Sequence, residues 1–193
     1  MRSLVAAGIG LGATHAAIDV GAKKKRKKKC KKPQPVTLQT AIISCPGPST
    51  LEFSSSRRFA QTFSATQTGA VTTASVEFTD VTAGSDFLIE IRTVDGNGVP
   101  TAEVLASASV VDLPQITAPL TVTVPFNPPA SVVQSQPYAV VITGSPISDG
   151  YDIRTRTGNA CAGQMFVDPL AIGTFTPEIL TDLIFSVSLT STG

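Results

Sequence analysis

From Arg58 onward the chain repeats one device: apolar and polar residues alternate over short stretches, and each stretch ends among glycine, proline, asparagine or aspartate. A period of two sends successive side chains to opposite faces, so a strand can bury one face and wet the other, while a helix gains no apolar stripe. In residues 71–79, Val76 and Phe78 fall on one face and Glu77 on the other. In 86–93, Phe87, Ile89 and Ile91 share a face with Glu90 and Arg92 opposite, and the two segments are expected to pair as neighbouring antiparallel strands. The Asn97-Gly98 turn leads to a strand over 103–111, and 120–126 alternates as LTVTVPF until Asn127-Pro128-Pro129, which is expected to break it. Residues 137–143 read as a buried strand through Val140, Val141 and Ile142, and strands over 165–167 and 183–189 follow. An earlier strand candidate, 36–44, precedes the Cys45-Pro46-Gly47-Pro48 turn. No window carries a long amphipathic helix, and 177–183 has room for one helical turn at most. Roughly eight to ten short strands at this spacing predict an all-β domain over 36–193, a two-sheet antiparallel sandwich in jelly-roll or Greek-key order.

Ahead of that domain the chain changes character. Residues 1–22 open with one arginine, continue through an apolar stretch over 4–13 and end in small residues, the layout of a secretory signal peptide cleaved after Ala16 or Ala22. The apolar stretch is too short for a spanning helix, so no transmembrane span is expected after processing. Residues 23–35 are a basic linker whose KKKRKKKCKK run (Lys23, Lys24, Lys25, Arg26, Lys27, Lys28, Lys29, Lys31 and Lys32) repels itself and is expected to stay extended. Beyond Lys32 no lysine occurs; 33–193 carry five arginines against thirteen carboxylates, a formal charge of −8. The expected localisation is secreted or cell-surface associated, with a basic tail carried by an acidic domain.

Of the three cysteines, Cys30 lies in the lysine run, Cys45 at the start of the domain and Cys161 near its end. In an oxidising compartment Cys45 and Cys161 are the expected pair, tying the two ends of the domain together; a Cys30–Cys45 pair and three free thiols are the alternatives. Three scattered cysteines without a neighbouring histidine lack the ligand spacing of a zinc site.

The segments FAQTF (59–63), VTTASVEFTDV (71–81), FLIEIRTVDGNGVPTAEVLASASV (87–110), QPYAVVIT (136–143), the loop 159–163 and DLIFSVSL (182–189) together resemble bacterial extracellular domains of the choice-of-anchor R type. The resemblance covers about two thirds of the chain, and it is one of strand and turn order with no catalytic signature. It implies an exported jelly-roll-like domain, often joined to a surface anchor and without enzymatic activity.

The residues themselves also argue against catalysis. The one histidine, His15, lies in the expected signal peptide, and every lysine lies in the linker, so the domain has no imidazole or ammonium with which to build a Ser-His-Asp triad, a Cys-His pair or a Ser-Lys dyad. Carboxylate pairs remain, and Glu77 and Glu90 are expected to share an exposed sheet face near Arg92 as a charged surface. Asp95 with Asn97, and Asp149 with Asp152, are turn residues whose oxygens are too sparse to compose a calcium loop on their own. No cofactor or metal is expected. Two binding readings follow. In one, the basic run attaches the protein to anionic envelope polymers; it has no interleaved aromatics for base stacking, and no specific nucleic acid is expected. In the other, the domain is a carbohydrate-binding module of the cell exterior using Tyr138, Tyr151, Asp152, Arg154 and Arg156; the run YDIRTR, which contains the last four, reads equally well as an exposed edge strand.

Overall fold

A computed structural model describes residues 39–45, 51–53, 58–144, 151–158 and 161–191, all within the unit Val36–Gly193. The expected signal peptide, the basic linker with Cys30, the turn 46–48 and Asp149 lie outside the described residues.

The described residues form thirteen strands and no helix: β1 (Thr40–Ser44), β2 (Leu51–Phe53), β3 (Arg58–Ser64), β4 (Gly69–Val81), β5 (Ser85–Val94), β6 (Pro100–Leu113), β7 (Leu120–Val132), β8 (Pro137–Gly144), β9 (Tyr151–Thr157), β10 (Met165–Asp168), β11 (Thr176–Glu178), β12 (Thr181–Leu183) and β13 (Phe185–Ser191). All pairings are antiparallel. One sheet, here sheet A, runs β1-β13-β4-β9-β12, with β2 also on β9 and β7 also on β4; sheet B runs β11-β10-β3-β8-β5-β6. The chain changes sheet at most of its connections, which is the jelly-roll or Greek-key habit expected of a sandwich.

Three local expectations are corrected. β4 and β5 are not neighbours, because the turn around Gly84 carries the chain from sheet A into sheet B; β4 pairs with β13, β7 and β9 instead. Asn127-Pro128-Pro129 does not end its strand: β7 continues to Val132, and the register jumps from Thr73↔Pro125 to Val71↔Ala130, so a bulge absorbs the prolines that cannot donate to the ladder. Residues 177–183 make no helical turn but supply β11 and β12.

The main core lies between the inner faces. Phe59, Phe63, Ile89, Ile91, Val140 and Ile142 from sheet B meet Val71, Val76, Phe78, Ile153, Val187 and Leu189 from sheet A. At about 1.5–3 kcal/mol for each large apolar side chain removed from water, this contact dominates the stability of the domain. A smaller apolar cluster, Ala60, Ala139, Val141, Phe166 and Phe175, sits on the other face of sheet B.

Cys45 and Cys161 form a disulfide with their Cα atoms 5.5 Å apart, inside the ordinary range. Beside it runs a buried polar bridge between the sheets. Gln61 of β3 donates from Nε2 to Asp182 Oδ1 (3.4 Å) and accepts from the Leu183 amide (2.9 Å), while Asp182 Oδ2 accepts from the Cys161 amide (3.0 Å). Because the disulfide spans 116 residues, its removal by a Cys45→Ala/Cys161→Ala double substitution is expected to cost roughly 3–5 kcal/mol, read as a lower midpoint in chemical denaturation together with a larger m-value, since the uncrosslinked unfolded chain exposes more surface.

Candidate functional site

The five residues read as a glycan site do not converge. Along β9 the alternation is strict: Tyr151, Ile153 and Thr155 are buried, while Asp152, Arg154 and Arg156 point to the outer face of sheet A. Tyr151 is 1% exposed, with its ring centroid 5.8 Å from that of Phe78, 6.3 Å from Phe87 and 6.4 Å from Phe59. Tyr138 lies on β8 of the other sheet, 7% exposed, beside Phe63 at 6.1 Å, and its hydroxyl accepts from the Val133 amide at 2.9 Å. Both phenol rings are therefore spent on packing, and neither offers a face on which a sugar can stack. Nor is β9 an edge strand, since β4, β12 and β2 all hydrogen-bond to it.

Burial pushes the Tyr151 phenol well above its ordinary range, and a hydrogen bond with the Gly144 backbone offsets part of that rise. Gly144 is required there, because a Cβ on it would overlap Tyr151 Cε1.

The paired-carboxylate reading also separates. Glu77 is in sheet A, where it pairs with Arg154 Nη1, and Glu90 is in sheet B, where it pairs with Arg92 at 2.5 Å. The Glu90–Arg92 pair is buried rather than exposed, and Arg92 also donates to the Thr101 carbonyl at 3.3 Å. In the turn after β5, Asp95 Oδ1 accepts from the Asn97 and Val99 amides, both at 2.9 Å, so that oxygen shapes the turn.

What the outer face of sheet A does bring together is a row of hydroxyls. Ser44, Ser186, Ser75 and Thr123 are register partners across β1, β13, β4 and β7, and Ser75 Oγ lies 2.8 Å from Thr123 Oγ1. A shallow groove of about 230 Å³ runs past Ser44, Ser186, Ser75, Thr121 and Glu77, with the Glu77–Arg154 ion pair at its side. These groups are hydrogen-bond donors and acceptors suited to holding a polar ligand. The Ser and Thr alternation in VTTASVE, LTVTV and FSVSL contains three of the four members, Ser44 of TAIIS being the fourth, but only the register aligns the segments.

The architecture is that of an antiparallel two-sheet sandwich, and solved proteins of similar fold exist. One is the structure of the cysteine protease and lectin-like domains of Cwp84, a surface layer associated protein of Clostridium difficile, with TM-score 0.59 and 16% identity over 84% of this chain and 37% of that one. Another is a variant of the clostridial cysteine protease Cwp84 after propeptide cleavage, with TM-score 0.59 and 16% identity over 80% of this chain and 40% of that one. At this identity the likeness is one of fold, and the match spans 40% or less of either relative. No family model and no curated protein sequence matches the chain.

A folded state that holds the Tyr151 proton more tightly than the unfolded chain keeps this contribution whole below about pH 10 and loses it as the pH rises further toward the raised folded value. Denaturant midpoints measured from about pH 8 to 12 are expected to fall above about pH 10, and Tyr151→Phe is expected to flatten that fall while costing about 1 kcal/mol at neutral pH. Gly144→Ala is expected to cost about 1–3 kcal/mol at every pH in the same assay, because the added methyl overlaps the ring.

Proposed function

We propose that this chain is an exported, non-catalytic β-sandwich interaction module, held at an anionic surface of the cell exterior by the basic run 23–32. The observation that carries the reading is the division of charge: nine of the ten residues from 23 to 32 are basic, while 33–193 have a formal charge of −8. A dense positive run attracts polyanions over roughly a Debye length, about 8–10 Å at physiological salt, and an acidic body limits indiscriminate adhesion of the domain itself. The overlay on a protein that has a lectin-like domain and is associated with a surface layer supports a surface role. The order of strands and turns that resembles the choice-of-anchor R domains points the same way.

A second reading, glycan binding by the domain, is favoured by the hydroxyl row and the Glu77–Arg154 pair beside the groove, not by the tyrosines. The two readings part in one experiment: binding of the full chain to isolated anionic envelope polysaccharide across a salt series, beside a variant with the nine basic residues of 23–32 replaced by glutamine. Tail attachment predicts steep weakening with salt and at least about a tenfold loss in the variant. Salt-insensitive binding that survives in the variant but falls in Ser75→Val/Thr123→Val would move the function to sheet A and overturn the primary reading.

A further inference from the structure

The outer edge of sheet B carries an aliphatic rim. β11 ends that sheet, and the loops on either side of it hold Leu170 and Ile172, then Ile179 and Leu180, which are 73, 71, 74 and 72% exposed. Residues 169–177, PLAIGTFTP, contain no charged side chain, and the one charge between the two loops is the half-buried Glu178 at the end of β11.

The first loop is a built feature. Asp168 is buried at its base, and its carboxylate accepts from the Ile172 amide at 3.2 Å and the Gly173 amide at 2.6 Å and pairs with Arg58 at 3.5 Å. The Ala171 amide donates to the Asp168 carbonyl at 3.2 Å, holding Ala171 at a φ of 53° that few non-glycine residues adopt. Phe175 turns inward onto the small cluster of sheet B and anchors the far end of the loop. Leu170 and Ile172 are thus presented outward from a fixed frame whose buried carboxylate is already matched by Arg58.

Such a rim fits lipid better than protein. The tips are aliphatic; protein interfaces under-use Leu as an energetic anchor, whereas surfaces that lie in a bilayer interface use Leu beside Trp and Phe. Four such side chains supply a few hundred Å², roughly half of the ~800 Å² per partner that a stable interface buries. Strand addition to β11 is hampered by Pro177 at its centre, which has no amide proton to give. The chain also carries the complementary charge, nine basic residues in 23–32, and stable membrane attachment takes two such signals, since one alone holds only marginally.

We propose that the anionic surface engaged by this protein is a lipid bilayer, and that the loops bearing Leu170, Ile172, Ile179 and Leu180 insert into its headgroup region while the basic run binds the anionic headgroups. The proposal rests on the surface-attachment reading above and names the surface. The chain contains no tryptophan, so Leu170→Trp and Ile179→Trp in the full chain each give a single reporter on the rim, and Ile42→Trp on β1, where Ile42 is 67% exposed, gives an equally wet control. Emission is read with anionic phosphatidylglycerol-containing vesicles, with and without acyl-chain bromination. The expected result is a blue shift and loss of most of the emission to brominated lipid for the two rim reporters and neither change for the control. Co-sedimentation with vesicles while the rim reporters stay in water overturns the insertion but leaves attachment by the tail standing. A blue shift without lipid that grows with protein concentration overturns it in favour of a second copy of the chain. Failure to bind both vesicles and envelope polysaccharide overturns the attachment reading as well.

Discussion

The structure depends on the contact between the two inner sheet faces, and that contact centres on a group of rings. Phe59 of sheet B and Phe78 and Tyr151 of sheet A meet across the sandwich, with Phe87 completing the set, 4.7 Å from Phe78. Aromatic residues are scarce, 6% of the chain and none of them tryptophan, so a large share of them is committed to this one interface. That commitment buries Tyr151, and Tyr138 packs separately against Phe63, so most of each phenol ring is withdrawn from the surface.

The buried Gln61, Asp182, Glu90 and Arg92 side chains all have polar partners. Gln61 and Asp182 satisfy each other and two backbone amides next to the Cys45–Cys161 disulfide, so the covalent tie and the polar bridge join the sheets at one end of the same region. Arg92 and Glu90 answer each other on the other face of sheet B. An unanswered buried carboxylate or amide at any of these positions would carry a desolvation penalty of about 1–3 kcal/mol or more, so each pair is better read as a fixture of the fold than as spare chemistry.

The sequence pattern revealed strands better than partners. Alternation located β4, β5 and the start of β7, because a period of two is a local property, and the unbroken apolar run of β8 marked a strand that is covered on both faces. Which strands adjoin is not local: β4 and β5 follow one another in sequence, but the turn around Gly84 carries the chain into the other sheet and separates Glu77 from Glu90. The prolines of β7 were legible as a break but not as a bulge within a continuing strand. YDIRTR was read as one polar site with a ring beside its arginines, but the alternation of β9 turns Tyr151 into the core and Arg154 and Arg156 to the opposite side. The disulfide was legible as the expected pair because it ties together chain segments at the two ends of the domain.

The proposed function requires the protein to leave the cell and then to be held at its surface by charge. A high-salt wash of intact cells, followed by mass-spectrometric determination of the N-terminus of the released protein, tests both steps at once. The expected result is release by salt of a chain beginning at Ala17 or Lys23. Recovery of a chain that still begins at Met1, or retention on the cells regardless of salt, would contradict it.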